Sequence, residues 1–328
     1  MVSSGLTFGI YPLSVAGTPF GLATGPEDDY ENIQKALREL RGHKKLYPRL
    51  YLIYTKEWES KMLVNAELYS DSGLLGDLTI GCGDWTGTDQ SMELDLWLNF
   101  IRKVIDRYGS RLSSLQITNE PNLSFMEGSK PYILPALTEG VIAAKKEARK
   151  RSLPLFIGFG SVPESAASVP MFWENLGKSG GSEFINSVDF VGHNFYVDVF
   201  EDRPLSLAEI PAAVERTLRD LRKKSLKTAG ISDSVPIRVA ENGWPTGRNP
   251  IIGLERSYGQ QAKVLETVIQ TVYGLRNELN ISHYELFGLR DADSSKDDLF
   301  HQYGIMRDDY SPKPAFEAFK SLIREFGA

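Results

Sequence analysis

The sequence predicts an α/β fold, a single (β/α)8 TIM barrel that covers residues 1–328. Apolar runs of strand length alternate with longer amphipathic segments from one end of the chain to the other. No long linker rich in glycine, serine and proline interrupts the alternation, and the composition does not shift along the chain. Strands that alternate with helices form right-handed crossovers and a parallel sheet. We therefore expect one closed barrel rather than an open sheet with two domains.

The apolar runs predict eight strands, over residues 6–13, 49–54, 78–82, 114–118, 155–159, 190–196, 237–240 and 284–289. The amphipathic segments predict helices over residues 27–40, 92–108, 134–150, 169–186, 206–227, 256–279 and 314–326. Residues 55–75 contain at most one short helical pattern, so we expect a long loop over the barrel mouth there. Ser311, in a Ser-Pro-Lys-Pro sequence, is the expected N-cap of the last helix.

Composition argues against several classes of function. The formal net charge of −6 argues against nucleic acid as a partner, because phosphate neutralisation needs clustered Lys and Arg. Cys82 is the only cysteine, so neither an intrachain disulfide nor a cysteine-based zinc site is expected. The four histidines do not occur at metal-ligand spacing, and no nucleotide-binding motif is present. No metal and no cofactor is therefore expected.

The amino terminus runs from Met1 into a strand-like segment without the basic start, apolar stretch and cleavage site of a signal peptide. This pattern is expected of a cytoplasmic protein and equally of a mature secreted chain. No run of about 20 apolar residues is present, so no membrane association is expected. Because no exposed apolar stripe is evident, a monomer is the expected state.

Two glutamates stand at the ends of apolar runs. Glu120 ends the run that begins at Leu115, and Glu241 ends the run that begins at Ile237. In the predicted barrel they close the fourth and seventh strands, where active sites of such barrels lie, and we expect them to face each other across the mouth. A surface carboxylate or a helix cap is the ordinary alternative for a single glutamate. The residues that flank both glutamates argue against that alternative.

The flanking residues carry a resemblance to a known family. Asn119-Glu120-Pro121 resembles the acid/base motif of clan A of the glycoside hydrolases. Glu241-Asn-Gly-Trp-Pro245 resembles the nucleophile motif of that clan and is similar to the motif of plant-type endo-β-1,3-glucanases. The resemblance implies that Glu120 is the acid/base and Glu241 the nucleophile of a retaining mechanism, with carboxyl groups about 5–5.5 Å apart. Two like charges at that distance push their pKa values apart.

The resemblance also implies roles for neighbouring residues. Asn119 matches the residue that hydrogen-bonds the sugar 2-hydroxyl, and Tyr196 matches the sixth-strand tyrosine that hydrogen-bonds the nucleophile. Strand alternation places Asn194 and Tyr196 on one face and His193 on the other. Arg49 is a candidate for the arginine that supports the nucleophile, although it begins its apolar run and can face the opposite end. A turn role for Asn119 and packing roles for Tyr196 and His193 are the alternatives.

Aromatic side chains near a barrel mouth can stack on sugar rings, and Trp244 and then Trp85 are the leading candidates. Clan A members often carry a tryptophan at the end of the eighth strand, and this sequence has none there. Phe287 is one candidate to replace it, and polar contacts from Arg290 and Asp291 are another.

The sequence thus predicts a retaining hydrolase of β-linked glycosides, oligosaccharides or polysaccharides that forms a covalent glycosyl-enzyme. A transglycosidase on the same scaffold and an inactive carbohydrate-binding barrel are the alternatives. A metal-dependent lyase would need His or acidic ligands at several strand ends, which this sequence lacks. The sugar, the linkage and exo or endo action stay open, because they depend on loop conformation.

Overall fold

A computed structural model describes residues 5–18, 21–54, 76–83 and 89–328. Eight parallel strands form a closed barrel: β1 (Thr7–Ile10), β4 (Leu46–Tyr54), β5 (Gly76–Cys82), β6 (Leu112–Ile117), β7 (Phe156–Phe159), β8 (Phe190–Asn194), β9 (Ile237–Asn242) and β12 (Ile281–Leu286). They are hydrogen-bonded in the order β1-β12-β9-β8-β7-β6-β5-β4. The predicted fold class and all eight predicted strands are confirmed, with bounds that differ by a few residues.

Two short antiparallel hairpins accompany the barrel, β2 (Ala16–Thr18) with β3 (Gly21–Ala23) and β10 (Gly247–Arg248) with β11 (Glu255–Arg256). The α-helices of the described residues are α1 (Tyr30–Arg41), α2 (Gln90–Tyr108), α3 (Ile133–Lys150), α4 (Phe172–Ile185), α5 (Ile210–Asp220), α6 (Leu226–Thr228), α7 (Tyr258–Leu279) and α8 (Pro314–Phe326). A π-helical turn at Leu221–Ser225 joins α5 to α6, and 3₁₀ turns lie at Gly109–Arg111, Glu127–Ser129 and Leu299–His301. The seven predicted helices are all present, the fifth as α5, the π turn and α6.

Side-chain caps fix the start of several helices. Asp29 accepts hydrogen bonds from two backbone N–H groups in the first turn of α1, and Ser257 forms a capping box with Gln260 at the start of α7. The predicted cap of the last helix is wrong. Lys313 occupies the N-cap position of α8, Pro314 begins the helix, and Ser311 bonds to Asp309 instead.

The chain groups into two compact units. One contains Met1–Tyr47, Phe195–Leu218 and Val239–Ala328, and the other contains Pro48–Asn194 and Arg219–Arg238. In the first, Tyr273 of α7 stacks on Phe326 of α8 with ring centroids 4.2 Å apart. In the second, Trp97 of α2 is fully buried and donates its indole N–H to the Ala136 carbonyl of α3 at 2.9 Å. The single domain predicted for residues 1–328 stays a prediction.

Candidate active site

Glu120 lies just beyond the fourth barrel strand. Strand β6 ends at Ile117, and the backbone then turns through Thr118, whose φ is 64°. Asn194, the last residue of β8, donates its side-chain amide to Glu120 Oε1 at 3.1 Å and to Asn119 Oδ1 at 3.2 Å. Because Asn194 is only 1% exposed, packing fixes the direction of this amide. Two of the predicted binding residues, Asn119 and Asn194, are therefore hydrogen-bonded to each other, and Asn194 is also hydrogen-bonded to Glu120.

A further carboxylate supports the backbone of the same segment and was not expected from the sequence. Glu127 Oε2 accepts the backbone N–H groups of Asn119 at 2.5 Å and of Glu120 at 2.9 Å. Its Oε1 accepts the N–H of Cys82, the last residue of β5, at 2.9 Å. Burial raises the pKa of Glu127, and the three backbone hydrogen bonds oppose that rise. The only signal in the sequence is an acidic residue within the loop that follows Glu120.

The loop after Glu120 is held at a second point by Asn122. This side chain is fully buried, and its amide donates to the Val162 carbonyl at 2.8 Å while its oxygen accepts the Val162 N–H at 2.9 Å. Val162 follows β7, so the pair of bonds joins the loops after the fourth and fifth barrel strands. Asn122 was also not predicted, because an asparagine after proline is common in ordinary turns.

Glu241 is the penultimate residue of β9, the seventh barrel strand, and is 6% exposed. Tyr196 donates its hydroxyl to Glu241 Oε2 at 2.7 Å. The backbone is fixed as well, because Phe195 N–H donates to the Glu241 carbonyl at 3.0 Å and Asn242 donates its side-chain amide to the Phe195 carbonyl at 2.8 Å. A hydrogen bond from a hydroxyl favours the ionised form of a carboxylate. The contact expected for Tyr196 is therefore present.

Aromatic rings hold the Tyr196 side chain. The rings of Phe287, Tyr303 and Phe200 meet it edge-on, with centroids 6.3, 5.6 and 5.8 Å away. Phe287 directly follows β12, lies parallel to Tyr11 at 4.9 Å and is joined to the next residue by a cis peptide bond. Burial raises the pKa of Tyr11, and the charge of Glu241 contributes to the rise. The predicted substitute for the missing tryptophan thus packs against the partner of Glu241.

Trp244 lies in a different environment from the one expected. It is 7% exposed, donates its indole N–H to Asp198 Oδ2 at 3.2 Å, and carries the Arg256 guanidinium 4.4 Å above its ring centroid. Arg256 also contacts the Asp198 carboxylate at 3.6 Å. Because a cation covers one ring face and packing covers most of the remainder, we assign Trp244 to the interior. This corrects its expected role as a stacking platform for a sugar.

His193 is likewise buried, as its packing alternative expects. It is 1% exposed, and its Nδ1 lies 2.9 Å from the Ser161 hydroxyl, which follows β7. Burial lowers its pKa to about 3, so the ring is neutral at physiological pH. The contacts of Asn194, Tyr196 and His193 agree with the predicted strand alternation, because His193 contacts Ser161 whereas Asn194 and Tyr196 contact the two glutamates.

Arg49 does not lie at the carboxyl end of its strand. It is the fourth residue of β4, is paired in register with Asp77 near the start of β5, and donates to the Tyr51 hydroxyl at 2.6 Å. It lies five positions before Tyr54, the last residue of β4. The active-site end of a parallel barrel is the carboxyl end. The expected support of the nucleophile by Arg49 is therefore corrected.

The polar residues after the eighth strand are bonded within the protein. Arg290 is fully buried and donates to the Asp28 carboxylate at 2.5 Å and to the Pro26 carbonyl at 2.7 Å. Asp291 is also fully buried and pairs with Lys313 Nζ at 2.8 Å. Both side chains are thus buried and paired within the protein, which leaves Phe287 as the candidate at this strand end. Trp85 lies outside the described residues.

Within the described ranges, no three His, Cys, Asp or Glu side chains come together as a group that could bind a metal ion. No helix in the same ranges combines the length and the apolar character needed to cross a membrane.

Sequence comparisons and structural comparisons give different results. No protein-family model and no curated protein matches the chain. Among solved structures, the family 1 β-glucosidase from Thermotoga maritima has a TM-score of 0.67 and 16% identity over 99% of this chain and 99% of that chain. The family 17 β-1,3-glucanosyltransferase from Rhizomucor miehei has a TM-score of 0.58 and 12% identity over 94% and 96% of the two chains.

A β-glucuronidase from Ruminococcus gnavus is similar to 97% of this chain with a TM-score of 0.60 and 15% identity, and only 49% of that enzyme is covered. The chain thus spans about half the length of the β-glucuronidase it matches. At these identities the likeness shows the fold. The predicted resemblance to the (β/α)8 barrel of clan A glycoside hydrolases is therefore confirmed at the level of the fold.

Proposed function

We propose that the protein is a retaining β-glycoside hydrolase in which Glu120 is the acid/base and Glu241 the nucleophile. The observation that carries the proposal is the hydrogen bond of 2.7 Å from Tyr196 to Glu241 at the carboxyl end of the seventh barrel strand. A nucleophilic carboxylate must be ionised, and a donated hydroxyl favours that form. The shared fold supports the proposal, since solved neighbours include a β-glucosidase and a β-glucuronidase.

In the first step, Glu241 Oε attacks the anomeric carbon and forms an ester to the sugar, while the bond to the leaving oxygen breaks. Glu120 donates its proton to that oxygen. The Asn119 oxygen is held by Asn194, so the Asn119 amide N–H groups are oriented as donors to the sugar 2-hydroxyl. A contact of this kind strengthens in the transition state.

In the second step, the Glu120 carboxylate takes a proton from water, and the water oxygen attacks the anomeric carbon. The ester bond breaks and returns Glu241 to its ionised form, which the Tyr196 hydroxyl again stabilises. The product keeps the β configuration, because the anomeric carbon is inverted twice.

A transglycosidase would use the same first step and replace water by a second sugar. Transglycosylation is the second candidate function, because the solved neighbours include a β-1,3-glucanosyltransferase from Rhizomucor miehei. Hydrolysis and transfer are separated by their products, because transfer lengthens an oligosaccharide and hydrolysis only shortens it.

The test combines a substrate panel with covalent trapping. Aryl β-glucosides, aryl β-glucuronides and β-1,3-glucan are assayed first. The sugar that is cleaved is then supplied as its 2-deoxy-2-fluoro glycoside with a good leaving group, which slows the second step more than the first. We expect time-dependent inactivation, a mass increase of one fluorosugar, and a modified peptide that contains Glu241.

Two variants accompany the trapping experiment. Glu241→Gln should lose turnover and labelling, and Glu120→Gln should lose about 10²- to 10⁴-fold in rate on poor leaving groups, the usual contribution of acid/base catalysis. Label on another residue, or unchanged hydrolysis by Glu241→Gln, contradicts the nucleophile assignment. Binding of β-glucan without any cleavage by the unmodified protein indicates the inactive carbohydrate-binding barrel.

A further inference from the structure

Glu127 sits behind the backbone of the proposed acid/base. Its two carboxylate oxygens accept three backbone N–H groups, those of Cys82, Asn119 and Glu120, at 2.5 to 2.9 Å. Cys82 ends the third barrel strand, and Asn119 and Glu120 follow the fourth. The Glu127 side chain therefore joins the backbone of Asn119 and Glu120 to the end of the neighbouring strand at Cys82.

The sheet itself cannot supply these bonds. Thr118 N–H makes a ladder bond to the Ile80 carbonyl at 2.8 Å, and the positive φ of Thr118 then turns the chain out of the strand. The N–H groups of Asn119 and Glu120 consequently converge on one acceptor atom, Glu127 Oε2. Backbone N–H groups that leave a sheet in a buried region need such an acceptor.

The residues around the Glu127 carboxylate leave space for it. Gly81 precedes Cys82 on β5, and a Cβ atom added to it would lie 3.3 Å from Glu127 Oε1. Glycine thus leaves room for the side chain at the strand end. From the other side, Asn194 contacts the Glu120 carboxylate at 3.1 Å. The backbone and the side chain of Glu120 are held by different partners, Glu127 and Asn194.

We propose that Glu127 is a positioning residue that holds Glu120 in the orientation for proton transfer to the leaving oxygen. The proposal rests on the acid/base role proposed for Glu120. A glutamine at this position keeps one acceptor oxygen and replaces the other with an amino group, which would point its own N–H groups at backbone N–H groups. The chemistry of the site therefore calls for a carboxylate and not merely for a polar side chain of the same shape.

A positioning role is distinguished from a purely structural role by how strongly kcat/KM depends on the leaving group of the substrate. Breaking the bond to a poor leaving group needs proton donation, whereas a good leaving group departs without it. We expect Glu127→Gln to lower kcat/KM by about 10- to 100-fold for the phenyl β-glycoside of the sugar that the panel shows to be cleaved, the usual effect of a catalytic group displaced by about 1 Å. For the 2,4-dinitrophenyl β-glycoside of the same sugar, kcat/KM should change by less than about threefold, because acid assistance is not required.

The matched control is Glu147→Gln. Glu147 is a buried glutamate of the same compact unit, but it pairs at 2.6 Å with Arg151, the residue that follows α3, and makes no hydrogen bond to Asn119 or Glu120. This variant should leave the leaving-group dependence unchanged. Circular dichroism and the midpoint of thermal unfolding establish that both variants are folded.

Three outcomes separate this inference from the proposed function. If Glu120→Gln and Glu127→Gln both steepen the leaving-group dependence, both assignments stand. If Glu120→Gln steepens it and Glu127→Gln does not, or lowers kcat/KM equally for both substrates, the positioning role is overturned and the acid/base role stands. If Glu120→Gln leaves the dependence unchanged, or no glycoside of the panel is cleaved, the proposed function fails, and the positioning role fails with it.

Discussion

At the scale of single residues, the strand-end pattern singled out the two glutamates and Tyr196, because each stands at the end of an apolar run or just beyond it. Glu127 could not be found in this way. It lies in a 3₁₀ turn, where neither a period of two nor a helical period marks which way a side chain points. Its three backbone partners come from two different strand ends, and sequence alone does not show that they converge.

The burial of Trp244 and His193 was not evident from the sequence, for a related reason. An aromatic or imidazole ring near a motif is available to substrate only if nothing covers it, and the covering groups are distant in sequence. Arg256 covers Trp244 from the strand β11 of a hairpin, and Ser161 reaches His193 from beyond another barrel strand. Whether such a ring can contact a substrate depends on its burial, and burial is known only from the folded structure.

The buried neutral His193 should make stability depend on pH. Its pKa is about 3 in the folded protein and near 6.5 in an unfolded chain, so between these values the unfolded state binds a proton that the folded state does not. Stability is therefore lost as the pH falls below about 6.5, by up to about 1.4 kcal/mol per pH unit from this group. In His193→Asn that loss is absent, so the free-energy difference between the two proteins should narrow from pH 7 to 4.5.

Urea unfolding at several pH values measures this difference. His43→Asn, at an exposed histidine, controls for the loss of an imidazole at the surface. A difference between wild type and His193→Asn that is constant across the range would contradict the burial argument.

At the scale of elements, the strands were predictable because a parallel strand buried on both faces is apolar throughout. The hairpins β2–β3 and β10–β11 were not predicted, since strands of two or three residues leave no periodic pattern. The N-cap of α8 was predicted at Ser311, two residues before its actual position. Lys313 takes that position but makes no side-chain cap bond, because its ammonium group bonds to other parts of the protein. Its ammonium bonds to Asp291 at 2.8 Å and to Thr246 at 3.0 Å, which ties α8 to the loops after β12 and β9.

Removal of one partner of this buried ion pair should be strongly destabilising, because it leaves the other charge buried and unpaired. Burial raises the pKa of Asp291 and lowers that of Lys313, and each partner's charge opposes the other's shift. Lys313→Met would leave the Asp291 charge buried without its partner and should lower the free energy of unfolding by about 3–5 kcal/mol. Adding Asp291→Asn to that variant removes the isolated charge, so part of the loss should be recovered.

Urea denaturation of the wild type, both single variants and the double variant completes this cycle. If the double variant is destabilised by the sum of the two single losses, the two side chains are not coupled and the interpretation fails.

At the scale of the whole molecule, a parallel barrel assigns chemistry to the carboxyl ends of its strands and stability to the amino ends. Strand β9 contains both kinds of residue. Glu241 lies at its carboxyl end, and Arg238 is its second residue, buried at 4% exposure. Arg238 donates to the Ser114 hydroxyl at 2.7 Å, lies 3.5 Å from Asp77, and covers the Phe190 ring at 3.9 Å.

The two ends of β9 should therefore respond in opposite ways to substitution. Arg238→Met leaves the buried Asp77 carboxylate without its cation, so the free energy of unfolding should fall by about 3–5 kcal/mol. For the fraction of Arg238→Met that stays folded, kcat/KM should stay within about threefold of wild type, which is less than about 1 kcal/mol in activation free energy.

Glu241→Gln should abolish turnover and leave stability unchanged or higher, because a catalytic carboxylate is kept for its chemistry at some cost to stability. Urea unfolding and kinetics on the same preparations measure both properties; a large fall in kcat/KM for folded Arg238→Met would show that the amino end of this strand also acts on the reaction.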